Sequence, residues 1–340
     1  MKTSQFNFTY PESLVATKPS RPTRVMYSSF EGAPSELTKQ ELLSHIQPKD
    51  IVVINDTKVV KKRIFTDAGE EILFLDEKEP NIWTVLFPAK KYALGEALLL
   101  PGDVIATLVE KGLPQTLKIN RSMGFSYFEQ YGHMALPPYI QKARGERKSF
   151  KEDANWYQTS WAKNNGSSAA PTASLHFDNE DWKVLSEKGV SVASLTLHVG
   201  LGTFLPVHTE DLSDHKMHSE WVQISKGTLN QVARCKALGG RVWALGTTVT
   251  RALESWPRGY FKEDEDSLFG ETDIFIQPGF EFQVVDVLMT NFHQPQSTLL
   301  ALVAAFAGLE KTLSVYEWAI KKQFRLFSYG DLSVWIRQSK

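Results

Sequence analysis

The sequence predicts an open α/β domain interrupted by an inserted antiparallel β-barrel domain. Three observations carry this. After Trp156-Tyr157-Gln158-Thr159, strand-like and helix-like segments alternate, the pattern of a sheet covered by helices. The same texture precedes residue 60. From 61 to 138 helical periodicity is absent, and short strands recur between Gly or Pro turns. The predicted division is therefore 1–60 with 139–340 as a discontinuous α/β domain, and 61–138 as the insertion.

Composition bounds the function. A chain of 340 residues with 42% hydrophobic content has material for two cores. Lys and Arg (38) nearly cancel Asp and Glu (39), which argues against a strongly basic nucleic-acid binder but leaves room for a local basic face. Cys235 is the single cysteine, so no internal disulfide forms, and the chain suits a reducing cytosol. The opening residues lack the apolar core of a signal peptide, and the longest apolar run, Leu299 to Ala307, is far short of the ~20 residues that span a bilayer. The expectation is a cytoplasmic monomer with no membrane partner.

In order, residues 1–30 read as an irregular, proline-marked arm with a basic knot at Lys18, Arg21 and Arg24. Ser35 to Ile46 has apolar residues at helical spacing behind a Ser cap. Ile51 to Ile54 is a short buried strand, closed by the turn-forming Asn55-Asp56-Thr57. In the insertion the strands are Glu71–Leu75, Ile82–Phe87, Ala97–Leu100, Val104–Val109, Thr116–Ile119 and Phe125–Phe128. Further on, strands are expected at Ala169–Leu175, Ser191–Leu197, Arg241–Leu245, Thr272–Ile276 and Phe282–Met289. Helices are expected at Asn179–Lys188, Lys226–Leu238, Thr250–Ser255, Thr298–Ala307 and Leu313–Gln323. In such a sheet the ligand crevice lies at the C-terminal ends of the strands.

The chemistry concentrates between Ala169 and Glu220. That stretch holds His176, His198, His208, His215 and His218, five of the chain's eight histidines. A histidine near its unperturbed pKa of ~6.5 takes or gives a proton at neutral pH. Any one of them alone is more simply a structural residue, and their clustering points to acid–base work. His198 runs into Gly200, Gly202 and Thr203, a backbone that can approach a ligand closely. Leu205 stands where a dinucleotide loop needs its third glycine, so a Rossmann loop is excluded. Gly246-Thr247-Thr248 ahead of a helix is either a cradle for an anion or an ordinary helix start. His208, His215 and His218 also have the spacing of a metal-dependent hydrolase, although no CxxC or HExxH motif supports a metal. Lys58, Lys61, Lys62 and Arg63 at one domain crossing, with Lys142, Arg144, Arg147 and Lys148 near the other, form either a solvated run or a face that tracks phosphates.

Ten segments taken together resemble one family: IVVINDTKVVKKRIF, LPPYI, WYQTSWA, AAPTASLHF, LHVGLGTFLPV, HKMHSEW, GTTVTRALES, TDIFIQPGF, NFHQPQSTLLALVAAFAG and FRLFSYGD, in register from residue 51 to 331. They are similar to the S-adenosylmethionine:tRNA ribosyltransferase-isomerases of the queuosine pathway. The resemblance implies an α/β domain interrupted by a β-barrel. It also implies transfer of the ribosyl moiety of S-adenosylmethionine to 7-aminomethyl-7-deazaguanine at the tRNA wobble position. Epoxyqueuosine forms, and adenine and methionine leave. S-adenosylmethionine is then a consumed co-substrate, with no cofactor and no metal required.

On that basis the candidate catalytic residues are His176, His218, Glu220, His198 and Arg251. Tyr157, Gln158, Thr159, Pro171, Thr172, Phe177 and the glycine loop with Phe204 are candidates for binding substrate, as are Gly246, Thr247, Thr248, Asn291, His293, Ser297 and Thr298. The chain departs from the family pattern at Thr23, Trp156, Ser174, Gln294 and Gln296, and two of these (Trp156 and Gln296) replace a usual cation. A noncatalytic tRNA- or nucleotide-binding relative is the remaining alternative.

Overall fold

The computed structural model describes residues 1–146, 149–200 and 209–337. The strands in chain order are β1 (Arg24–Ser28), β2 (Ser35–Thr38), β3 (Ile51–Asn55), β4 (Thr57–Val59), β5 (Arg63–Phe65), β6 (Glu71–Glu79), β7 (Ile82–Leu86), β8 (Ala97–Leu100) and β9 (Val104–Glu110). They continue with β10 (Gln115–Ile119), β11 (Asn164–Ser167), β12 (Ser191–Leu197), β13 (Glu220–Ser225), β14 (Val242–Leu245), β15 (Lys262–Glu263), β16 (Ser267–Thr272), β17 (Val287–Asn291) and β18 (Leu332–Ile336). The α-helices are α1 (Lys39–His45), α2 (Phe125–Tyr131), α3 (Pro138–Arg144), α4 (Asp153–Trp156), α5 (Asn179–Glu187), α6 (Lys226–Ala237), α7 (Thr247–Ser255), α8 (Thr298–Ala307) and α9 (Leu309–Lys321).

Ten strands form one mixed sheet in the order β15-β16-β13-β12-β3-β14-β17-β18-β1-β2. Its centre, β12-β3-β14-β17, is parallel. Those strands are the nearly continuous apolar runs read from the sequence, because a parallel centre is covered on both faces. Side chains alternate between the two layers. Ile51, Val53, Val242 and Ala244 pack with α6, α7, α8 and α9, whereas Val52, Ile54, Trp243 and Leu245 pack with α1 and α5.

The second sheet, β5-β6-β7-β10-β9-β8, is antiparallel throughout and has its own apolar core. The amide of Asp67, just past β5, donates to the Leu99 carbonyl on β8 at 3.0 Å, which nearly closes the barrel.

Several expected strands take another form. Phe125–Phe128 belongs to α2, set between Gly124 and Gly132. Its Phe128 ring meets Phe74 and Trp83 edge-on in the barrel core at 5.6 and 5.5 Å. Aromatic residues three apart served a helix face there, not a strand. Ala169–Leu175 runs into a 3-10 turn at Thr172–His176, where Ser174 N–H bonds back to Pro171. Phe282–Met289 pairs as strand only from Val287, because the buried Glu254 carboxylate accepts the amides of Gln283, Val284 and Val285 at 2.9 Å each. Thr272 ends β16, and Asp273 to Ile276 lie outside any strand. The N-terminal arm contributes β1, and four strands, β13, β15, β16 and β18, join the sheet from segments in which no strand was expected, save Thr272 at the end of β16. The expected helix Ser35–Ile46 begins only at Lys39, because Ser35–Thr38 pairs with β1 as β2 and Thr38, not Ser35, caps α1.

Candidate active site

A cavity of about 320 Å³ opens at the C-terminal ends of the parallel strands, large enough for a small organic ligand. Gly246 at the end of β14, Asn291 at the end of β17 and Val199 just past β12 all line it. Gly246 holds φ +103°, a conformation that favours glycine, and its amide bonds the Met289 carbonyl at 2.8 Å. The chain then turns directly into α7, so the free N–H groups of its first turn and the hydroxyls of Thr247 and Thr248 stand at the cavity wall.

Glu220 and Arg251 also line this wall, and both are buried. An Arg251 Nη1 bond to Glu220 Oε2 joins them, and the Gly200 amide donates to Glu220 Oε1 at 3.2 Å. Arg251 Nε reaches the Ile274 carbonyl at 3.3 Å. Arg251 is therefore committed to Glu220 and to backbone oxygens, and does not stand free as a fork for a ligand carboxylate.

The histidines separate by environment. His218 is exposed at the cavity lining, with His215 and Met217 beside it. Burial and the neighbouring His218 lower the His215 pKa. His176 is buried one layer behind the lining. Asn291 Nδ2 donates to its Nε2 at 3.1 Å, and its Nδ1 shares a hydrogen with Thr23 Oγ1 at 3.2 Å. Burial, reinforced by Arg325, Arg21 and Lys39, pushes His176 down to about 3, so it is a neutral imidazole that fixes Asn291. Asn291 Oδ1 is buried at the cavity and has no partner among the described residues. His293 is likewise pushed down to about 3 by burial, and pairs with Thr290 Oγ1 at 2.9 Å. His198 lies elsewhere: its ring stacks on Trp221 and bonds Thr57 Oγ1 at 2.7 Å, and a Cβ on Gly166 would come within 2.6 Å of it.

A family model for "Queuosine biosynthesis protein" matches residues 3–335. The chain belongs to this family. It is 41% identical to the S-adenosylmethionine:tRNA ribosyltransferase-isomerase of Ruegeria sp. (strain TM1040), over 99% of this chain and 100% of the relative. It is 40% identical to the protein of that name from Sulfurihydrogenibium sp. (strain YO3AOP1), over 97% and 98%. Among solved structures it is similar to the S-adenosylmethionine tRNA ribosyltransferase of Thermotoga maritima, with a TM-score of 0.55 and 30% identity over 98% of this chain and 100% of that one.

Of the residues expected from the sequence, this family member brings Tyr157, Pro171, Thr172, His218, Glu220, Gly246, Thr247, Thr248, Arg251, Asn291, His293, Ser297 and Thr298 to one cavity. Ser297 also caps α8, accepting from Leu300 N–H at 3.2 Å. Four expected contacts serve the fold instead. Gln158 clamps both backbone groups of Val59, and Phe177 stacks on Trp182. Thr159 is buried away from the lining, and Gly200 holds Glu220. Gly202, Thr203, Phe204, His208, Arg147 and Lys148 lie outside the described residues. Among the described residues no three His, Cys, Asp or Glu side chains converge as metal ligands.

The basic face is largely spoken for. Arg63 is 1% exposed and forks onto Glu71 at 2.6 and 2.8 Å. Arg144 is gripped at both nitrogens by the fully buried Asp153, at 2.7 and 2.9 Å. These two arginines are corrected from phosphate contacts to internal ion pairs, since a buried guanidinium that gave up its carboxylate would strand a charge. Lys62 bonds the Leu75 carbonyl at 2.8 Å, and burial lowers its pKa. Lys61 pairs with Glu129 and Lys142 with Glu12, and Lys58 sits 5.7 Å over the Phe125 ring. The Lys142 pair is so exposed that it restrains the side chain little.

Sequence reasoning missed Tyr139, Phe292 and Phe327, which also line the cavity. The aromatic positions in LPPYI, NFH and FRLFSYGD were the available signal. Burial pushes the Tyr139 hydroxyl up to about 12, and the Tyr157 hydroxyl well above the tyrosine range, so both remain protonated donors.

Proposed function

We propose that this chain transfers the ribosyl moiety of S-adenosylmethionine to 7-aminomethyl-7-deazaguanine at the wobble position of tRNA, giving epoxyqueuosine with loss of adenine and methionine. The observation that carries the reading is one enclosed, aromatic-lined cavity in which an exposed histidine, a buried Glu–Arg pair and a helix N-terminus meet. The reaction breaks the glycosidic bond to adenine and the carbon–sulfur bond to methionine. It forms a carbon–carbon bond between the two carbons so released, closing the five-carbon ring, while the ring oxygen shifts one carbon–oxygen bond to become the epoxide and the aminomethyl nitrogen takes the carbon that oxygen leaves. The sulfonium-side carbon and the amine each give up a proton and adenine takes one.

His218 is the residue placed to remove the proton beside the sulfonium, whose positive charge makes that carbon acidic. Thr247 and Thr248, at the first turn of α7, offer N–H and hydroxyl donors to the methionine carboxylate. The Tyr157 and Phe327 rings favour a sulfonium by cation–π attraction, worth about 0.5–2 kcal/mol. The free Asn291 Oδ1, held by neutral His176, accepts from an amino group of the donor, either the methionine ammonium or adenine N6. Adenine leaves with a proton, which the imidazolium formed at His218 can return. In this reading His176 positions a binding group, and Arg251 holds Glu220 in place.

The test is incubation of purified protein with S-adenosylmethionine and tRNA carrying the deazaguanine precursor. Adenine and a modified tRNA should form in equal amounts. Neither product appearing from correctly folded protein would end this reading.

A further inference from the structure

The barrel carries a second cavity, of about 620 Å³, that the chemistry above does not use. It adjoins the first across one short segment. Pro137 and Tyr139 face the first cavity, while Leu136, Pro138 and Gln141 face the second. The two cavities are therefore neighbours that share residues 136–141 as a common wall.

The second cavity has the chemistry of a neutral ligand. Leu73, Leu86, Phe87 and Leu113 give it apolar walls. Its charges cancel in pairs, Arg63 with Glu71 and Lys91 with Glu70, each at 2.6 Å. Two carboxylates at the lining repel a phosphate, so the cavity suits a base and leaves the sugar–phosphate chain outside. Arg63 contributes a further feature. Its Nε and Nη2 are taken by Glu71, but its buried Nη1 has no acceptor among the described residues. Leaving such a donor unmet costs about 1–3 kcal/mol, and the carbonyl oxygen of a nucleobase is the kind of acceptor it lacks. Leu113 stands at the rim, 71% exposed, where an apolar side chain gains nothing in the free protein.

We infer that the barrel cavity is a second subsite for the RNA substrate, holding an unstacked base from a nucleotide adjacent to the one modified. The inference rests on the tRNA-modifying reading. Single-stranded loops present bases that can be splayed into apolar or aromatic pockets, and each such base contributes about 1–3 kcal/mol of binding.

The experiment uses an anticodon stem-loop RNA with the deazaguanine precursor, and the same RNA made abasic at each flanking nucleotide in turn. Wild-type protein is compared with Leu113→Glu and Lys91→Ala, both surface changes that leave the first cavity intact. With wild type, one abasic RNA should raise KM about tenfold, the equivalent of ~1.4 kcal/mol. Leu113→Glu should raise KM for intact RNA by a similar factor, with kcat and S-adenosylmethionine affinity within twofold. The two changes together should not multiply, because both remove the same contact. An unchanged KM in both variants, or a full tenfold abasic effect persisting in Leu113→Glu, overturns the inference. Stem-loop binding by fluorescence anisotropy makes the same comparison without turnover. If wild type releases no adenine, the enzymatic reading fails, while the anisotropy result still decides whether the cavity holds a base.

Discussion

Glu220 and Arg251 meet as a buried ion pair in the cavity wall, one at the first residue of β13 and the other on the second turn of α7. Each depends on the other for its charge to be tolerated. Arg251→Ala strands a carboxylate in the interior and should cost about 3–5 kcal/mol in denaturant unfolding. Glu220→Gln keeps an acceptor for Gly200 and Arg251, and should cost less stability while lowering adenine release at least tenfold. Equal and small stability losses for the two variants would contradict this arrangement.

The two histidines nearest the chemistry should separate kinetically. His218→Ala is expected to lower kcat about 10²–10⁴-fold with donor affinity changed only a few-fold. His176→Ala removes the partner of Asn291 Nδ2, and should act mainly by raising KM for S-adenosylmethionine. Steady-state kinetics with the donor varied at saturating tRNA distinguish the two.

Acid stability carries a signature of the buried imidazoles. His176 and His293 are both pushed down to about 3, against ~6.5 in an unfolded chain. Between these values the unfolded state binds more protons, so stability should fall as pH drops below 6.5. Each histidine adds up to ~1.4 kcal/mol per pH unit in that window. Denaturant titrations at pH 7.5, 6 and 5 measure the slope, and His293→Gln should reduce it by one proton.

Ser174 lies in the 3-10 turn Thr172–His176, and its buried hydroxyl has no partner among the described residues. Ser174→Ala removes an unsatisfied group in a turn that an alanine can adopt. It should stabilise the protein by about 1 kcal/mol, seen as a higher denaturant midpoint at unchanged slope. A lower midpoint would mean that the hydroxyl has an acceptor in solution.

Arg144 separates the two uses proposed for the basic run. Its guanidinium is paired with Asp153, which also accepts from Tyr329 at 3.1 Å. Arg144→Ala should therefore cost about 3–5 kcal/mol of stability. The salt dependence of tRNA binding should stay unchanged, whereas a phosphate contact would reduce the slope by about one ion.

The centre of the fold was legible because a parallel strand covered on both faces is buried throughout and reads as an apolar run, as Ile51–Ile54, β14 and Val287–Met289 do. Polar residues at the ends of such runs, Thr247 after β14 and Asn291 on β17, marked the strand ends where the cavity lies. What stayed hidden depends on partners distant in sequence. Glu254 draws three amides out of a would-be strand, and the side chain responsible lies about thirty residues away. His198 has the same composition-level appeal as His218, but its ring is taken by Thr57 and Trp221. Arg63 and Arg144 look like surface cations in a basic run, and it is the fold that buries both guanidinium groups against carboxylates only eight and nine residues further on.

The place of β18 sets the order in which the molecule can be assembled. It lies between β17 and β1, antiparallel to one and parallel to the other. The β1–β2 hairpin, synthesised about three hundred residues before it, reaches the main sheet through this late strand. The barrel strands, by contrast, pair with neighbours synthesised within about sixty residues of one another. During translation the barrel can close early, while the hairpin waits with an unpaired edge until Leu332–Ile336 emerges. Ribosome-bound chains halted before that point are the ones in which chaperones would find an open sheet.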